Sequence, residues 1–357
     1  MIRFIKGTGC IPIGIVLLAL CAGHVQGQGT TTRPTPPEVE AFLVMSTPEF
    51  DARLRSWTKY DIMHVDREQR VDREQAKVEL LDARHAGFVY IYQCGPSAEI
   101  QQQTAREFAA LVNGYVYWAL RYNSNDKPPE GGLLWQGNDN PFLNHARRMR
   151  DICGATPIFA QLHTIISGRP VLLEEVQWQF VAAAGCGYRG VLWPVTYGDV
   201  TWGEELKQIE EKIGKYARFL AQAQPVGWAK ADNDQPISVL ACDGYLFVFL
   251  LNPAYMTLGV DGRTVPAPLN RPACQGTVTL TLPRGLKVRR GQVLLGTMAP
   301  SLKAEGGKTT AQYSFKTGGE MLIFTLGGKI EPGATAQLTE STTRPATTQP
   351  VTVENEK

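Results

Sequence analysis

Excess charge of either sign is missing from this chain. Its 36 Lys and Arg against 34 Asp and Glu leave a formal net charge of +2, too weak a field to hold a phosphate backbone, so no nucleic-acid partner is expected. Metal-ligating clusters are missing too. No Cys-x-x-Cys and no Cys/His group at zinc-like spacing occurs, and His64, His85, His145 and His163 are scattered, so neither a metal nor a cofactor is called for. Long apolar runs are scarce. The run Ile11 to Ala22 is too short for a membrane-spanning helix. Cysteine is thin: beyond the first 27 residues only Cys94, Cys153, Cys186, Cys242 and Cys274 remain, an odd number that leaves one unpaired in a monomer.

What is present at the N-terminus is an export signal. Arg3 and Lys6 supply a positive start, Ile11 to Ala22 the apolar core and Val25-Gln26-Gly27 a small-residue cleavage site, so residues 1–27 are read as a secretory signal and the protein as periplasmic or extracellular. Leu20 before Cys21 is not the small residue that a lipid-anchoring signal wants, so lipid anchoring is not expected. In an oxidising compartment Cys242 and Cys274, which share one β-rich region, are the expected pair if a bridge forms.

At 43% hydrophobic and 20% charged the chain is ordinary globular protein with room for two domains. Its sharpest stretch is Gly168 to Asp199, GRPVLLEEVQWQFVAAAGCGYRGVLWPVTYGD. Val176, Phe180, Ala183 and Ala184 recur at helical spacing, Glu174 and Glu175 suit the positive end of a helix dipole, and Gly185 and Gly187 end the helix. The apolar run Gly190 to Val195 follows as a buried strand. This is one α-to-β step of a parallel sheet, and ligands of α/β folds bind at the carboxyl ends of such strands.

The pattern Arg169-Pro170, Glu174-Glu175, Gln179, the small-residue run to Gly185, Gly190 and Trp193 resembles the late barrel segment of bacterial glycoside hydrolases that join a (β/α)8 barrel to a C-terminal β-sandwich. The resemblance covers Pro157 to Pro225, and it implies a barrel fold and action on carbohydrate. In such families the Arg and Glu of this segment orient the helix against the barrel.

The rest of the chain agrees with an α/β reading. Strands are expected at Phe42–Ser46, Tyr60–Val65, Phe88–Gln93, Tyr115–Leu120, Leu133–Gln136 and Pro157–Leu162, with helices between them. Thr47-Pro48 and Asn140-Pro141 read as cap-plus-proline starts, and Asp66 with Gln69 and Thr201 with Glu204 as capping boxes. One last helix carries Leu206, Ile209, Ile213, Tyr216 and Leu220 on one face. These are about seven strand candidates in roughly 185 residues, fewer than eight and shorter than the ~250 of a full barrel. The fold class is therefore α/β: a reduced or incomplete (β/α) TIM-type barrel over residues 40–225, followed by an antiparallel β-sandwich over 226–330. The sandwich is signalled by short β runs separated by Gly, Pro and Asn. Residues 28–39 and 331–357 are Thr/Pro-rich and read as disordered tethers.

Glycoside hydrolysis needs two carboxyl groups, about 5 to 5.5 Å apart for retention or 6.5 to 9.5 Å for inversion. The family's commonest pattern, Asn-Glu after the fourth strand, is replaced here by Leu120-Arg121-Tyr122-Asn123, and the strand that should bring the second Glu ends in Gln161-Leu162-His163. Asp199 and Asp66 are the catalytic candidates among the strand-end acids; helix capping is the bland role of Asp66. Asp126 and Asp139 sit in turn-like sequence. Trp118, Trp135, Gln136, Gln161, His163, Trp193 and Tyr197 are the substrate-binding candidates, flat rings for sugar faces with hydrogen-bonding neighbours; the bland alternative is that the tryptophans plug the core. Two functions follow: an exported glycoside hydrolase-like protein cutting poly- or oligosaccharide, or a non-catalytic carbohydrate-binding or envelope scaffold protein without the acid pair. The sequence leaves the oligomeric state open.

Overall fold

The computed structural model of the protein describes residues 2–5, 41–57, 62–65, 78, 90–93, 97–118, 132–136, 140–163, 165–166, 169–193, 203–258, 263–265, 273–296, 301–305 and 308–328. Asp66, Tyr197, Asp199, Cys94, the cleavage site and both Thr/Pro-rich segments lie outside them.

The first half forms one sheet. Its strands are β1 (Ile2–Ile5), β2 (Leu43–Ser46), β3 (Ile62–Val65), β4 (Tyr90–Gln93), β5 (Gly114–Trp118), β6 (Ile158–Gln161) and, after a two-residue hairpin of β7 (Ile165–Ile166) and β8 (Arg169–Pro170), β9 (Gly190–Trp193). The order across the sheet is β1-β3-β4-β5-β6-β9-β2. Apart from β1, which belongs to residues 1–27 read as the secretory signal yet pairs antiparallel with β3, every neighbouring pair is parallel. Five of the six parallel strands follow chain order across the sheet, and the first, β2, returns beside β9. This is the cyclic order of a (β/α) barrel, with no ladder between β2 and β3 among the described residues.

A closed eight-stranded barrel is therefore not formed by the described residues. The seventh expected strand, Leu133–Gln136, turns away: Gln136 bridges to Ile237 of the second half, N–H to carbonyl 2.7 Å and the reverse 3.0 Å. Helix α1 (Thr47–Trp57) lays Phe50 on Phe159, ring centroids 4.9 Å apart. Register places Phe159 opposite in the pleat to Tyr115 and Phe42. Those two meet α2 (Ala98–Phe108) and α4 (Leu173–Gly185) respectively, so α1 covers the other face of the sheet. The cap of α1 is Ser46, one residue before the expected Thr47: Glu49 accepts from the Ser46 N–H at 2.9 Å and its hydroxyl at 2.6 Å. Asn140 caps α3 (Pro141–Cys153) as expected, accepting from Phe142 and Leu143. The single last helix expected is two, α5 (Gly203–Gly214) and α6 (Ala217–Gln222), broken after Gly214.

The second half is all antiparallel. Its strands are β10 (Gln224–Pro225), β11 (Ala229–Ala231), β12 (Ile237–Cys242), β13 (Tyr245–Leu251), the hairpin β14 (Thr257–Leu258) and β15 (Thr264–Val265), then β16 (Cys274–Leu280), β17 (Leu286–Leu295), β18 (Ser301–Glu305), β19 (Lys308–Phe315) and β20 (Gly319–Gly328). They form a five-stranded sheet, β10-β12-β13-β20-β17, and a four-stranded one, β11-β16-β19-β18. Leu246, Val248, Leu250, Leu322 and Phe324 meet Val278, Leu280, Ala311 and Phe315 in the core between them.

The reverse face of the five-stranded sheet is equally apolar. Leu240, Phe247, Phe249, Leu251, Met321 and Ile323 join one core with the α/β half. That explains why β13 reads YLFVFLL without alternation: both of its faces are buried, each against a different layer. Helix α4 lies between the two halves and is buried nearly all round. Its junction with the sandwich is tight; a Cβ on Gly318 would lie 1.7 Å from the Glu174 carbonyl oxygen and one on Gly319 2.9 Å from Val181 Cβ. At its C-terminus Gly187 takes φ +71, the left-handed turn that glycine allows.

No Cys242–Cys274 bridge exists; both are free, as are Cys153 and Cys186. Cys242 packs on the core shared with the α/β half, Cys274 on the core between the sandwich sheets. The five-stranded sheet separates them.

Candidate functional site

The parallel strands end at their carboxyl side in Ser46, Val65, Gln93, Trp118, Gln161 and Trp193, which mark a rim. Parallel register sets Trp118 beside Gln161 and Ser46 beside Trp193. Gln161 is paired with Leu192, not Trp193, so pleat alternation puts Trp193 on the opposite face from Gln161. The expected binding set is thus split: Gln161, 5% exposed, and Trp193, 7% exposed, are both buried and lie on opposite faces.

His163, two residues past Gln161, is held by its main chain. Gln179, fully buried in α4, accepts the His163 N–H at 2.7 Å and donates its amide to the His163 carbonyl at 3.3 Å. This two-point clamp fixes the path of the chain as it leaves β6. The helix thus positions the mouth, a role that its periodicity alone does not reveal. Glu175, also fully buried, caps the same helix by accepting the Leu172 N–H at 2.8 Å, so first-turn charge is only part of its work.

Trp135 and Gln136 are away from the rim. Trp135 is 1% exposed; its indole N–H donates to the Ala182 carbonyl at 3.1 Å, and its ring lies against Gly185 and Phe249. With Ser238, whose hydroxyl donates to the Gly185 carbonyl at 2.7 Å, it satisfies the carbonyls at the end of α4. Gln136 is occupied in the bridge to Ile237 and donates to the Leu133 carbonyl. Both residues join the two halves, the core-plug role for Trp135.

Two acids with shifted titration were not singled out by sequence. The hydroxyl of Ser46 and then its N–H hold the Glu49 carboxyl below the usual range. Burial first, and the negative charges of Glu49 and Glu211 next, raise that of Glu210 on α5. Both side chains are exposed, on α1 and α5, and the shifts by themselves assign neither a catalytic role. The only sequence signal for Glu49 was its capping spacing, which points to structure. Thiol chemistry has no support: burial pushes Cys153 and Cys186 up to about 12 and Cys274 to about 11, leaving them protonated at neutral pH. Among the described residues no group of three or more His, Cys, Asp or Glu could hold a metal ion, and no helix is long and apolar enough to cross a membrane.

No family model and no curated protein matches the chain. Solved structures that it resembles include an alpha-L-fucosidase isoenzyme from Paenibacillus thiaminolyticus (13% identity, 41% of this chain and 20% of that one, TM-score 0.23). Others are an alpha-L-fucosynthase from Thermotoga maritima (13%, 70% and 66%, 0.29) and a cycloisomaltooligosaccharide glucanotransferase from Paenibacillus (7%, 70% and 65%, 0.39). The chain thus spans from a fifth to about two thirds of the length of these relatives. At such TM-scores the overlap decides neither fold nor function, which rest on the strand order and the rim.

Proposed function

We propose that this protein is exported and binds carbohydrate at the carboxyl rim of its parallel strands. The observation that carries the reading is the backbone register that sets the buried Gln161 level with Trp118 at the strand ends, continued by a His163 whose main chain a buried Gln179 clamps in place. An aromatic residue beside neutral hydrogen-bonding groups at this end of a parallel sheet is the composition that sugar recognition uses. The described strands end in Ser, Val, Gln, Trp, Gln and Trp, which supports binding without cleavage. Titration of the mature protein with a panel of neutral oligosaccharides, followed by tryptophan fluorescence, tests it. Binding that Gln161→Ala weakens at least about tenfold, near 1.4 kcal/mol, upholds the reading; absence of binding to every member sinks it.

Hydrolysis is the second reading, carried by the sequence candidates Asp66 and Asp199. Release of reducing ends from the same panel separates the two. Turnover that disappears in Asp66→Asn or Asp199→Asn while binding persists makes the protein a glycoside hydrolase; no release from any polysaccharide leaves it a binder.

A further inference from the structure

A second concave surface lies where the two halves meet, away from the rim. It is a cleft of about 270 Å³ lined by Lys212, Lys215, Tyr216, Gln292, Val293, Leu294 and Gly296, between the end of α5 and the edge strand β17. Donors predominate among its polar side chains, the Gln292 amide carbonyl being an acceptor among them, and the carboxyl of the buried Glu320 lies against Gly296 of the wall. Gln292 donates its side-chain amide to the Tyr216 hydroxyl, so the phenolic proton is left to point elsewhere and donate. The ammonium groups of Lys212 and Lys215 only donate. Arg290 lies two residues before Gln292 on the same strand and is exposed. Lysines near a helix C-terminus also complement its dipole, but that role does not require the tyrosine and the glutamine opposite them.

Beside this donor set lies an aromatic cluster. Tyr216 meets Tyr245 edge to face at 5.6 Å, and Phe219 packs on Tyr245 at 4.5 Å; all three are half-exposed. Cations and neutral donors beside partly open rings match a molecule with an anionic oxygen group on an otherwise C–H-rich face. We infer that this cleft binds an acidic sugar residue, carboxylated or sulfated. The inference rests on the carbohydrate reading for the sugar part of the ligand only; the anion part stands on the lining.

Calorimetric titration of the full chain with trigalacturonate, a sulfated trisaccharide, neutral maltotriose and inorganic tripolyphosphate tests it. The acidic trisaccharides, or one of them, should bind at least about tenfold tighter than maltotriose and weaken between about 50 and 200 mM salt; which one binds identifies carboxylate or sulfate. The double variant Lys212→Ala/Lys215→Ala should lose that preference, and Gln292→Glu, which places a negative charge at the same wall, should lose it too. Acidic sugars binding no better than maltotriose, unchanged binding in both variants, or tripolyphosphate binding as tightly as the sugars would overturn the proposal. Loss of neutral-sugar binding in Gln161→Ala with acid-specific binding retained leaves the cleft standing. The reverse result overturns the cleft and spares the rim.

Discussion

Glu320 shows how much one residue can set against the fold. It is fully buried in β20, neither carboxyl oxygen has a hydrogen-bond partner, and burial pushes its carboxyl up to about 8. The folded state therefore holds this proton where the unfolded chain, titrating near 4.5, releases it. Stability from this group falls as pH rises from about 4.5 through about 8, and the cost is complete above that. Glu320→Met, of similar size with no polar oxygen, should raise stability at pH 8 by roughly 1–3 kcal/mol and by less at pH 5. Thermal melts at both pH values check this, and a variant less stable than wild type at pH 8 would refute it. Gln179 acts in the opposite sense. Gln179→Leu removes both bonds to His163 and should cost about 1–3 kcal/mol while weakening sugar binding beyond the loss in folded fraction. Binding measured well below the melting temperature tells the two effects apart.

Among the elements, α4 is the one both halves are built on, and much of it was readable. Apolar spacing, first-turn acids and the terminal glycines locate it. The cap was readable only in part, because Leu172 has no capping side chain and Glu175 supplies the bond instead. What periodicity does not show is that the helix is covered from two sides, since an all-round apolar helix and a one-sided one with small residues look similar over 13 residues. The close approach of Gly318 to Glu174 gives a test. Gly318→Ala should destabilise by more than about 3 kcal/mol or prevent folding, because a Cβ there meets backbone that has no room to move. A Cβ on Gly214 meets nothing within 4 Å, so Gly214→Ala should change stability by less than about 1 kcal/mol. Equal effects would show that the junction is looser than described.

For the whole molecule, the core shared by the sheet face of the sandwich and the α/β half predicts one cooperative unfolding transition. A piece covering residues 226–330 alone would expose Leu240, Phe247, Phe249, Leu251, Met321 and Ile323, enough contiguous apolar surface to aggregate. Calorimetry of the full chain should give a single peak; two separable transitions would refute this. Reductant should leave the melting temperature unchanged with respect to Cys242 and Cys274, whose thiols peptide mapping should find free.

By itself the sequence determined the local elements: the helix of the anchoring stretch, all six parallel-strand positions (with one expected strand too many), the change to antiparallel β texture, and Gln161 and Trp193 as strand-end residues. Each depends on spacing and turn chemistry within a few residues, which a chain carries locally. Tertiary structure alone decided the rest. Leu133–Gln136 has the composition of a strand, but the edge that it joins belongs to Ile237, about a hundred residues away. Trp135 reads as a sugar platform until Ala182, Gly185 and Phe249 are brought around it. Trp193 and Gln161 both end strands, yet register sets them on opposite faces. The donors of the interdomain cleft come from a helix end and an edge strand that no spacing relates. Partners, faces and neighbours are fixed by packing between distant segments, and sequence periodicity reports only that some partner exists.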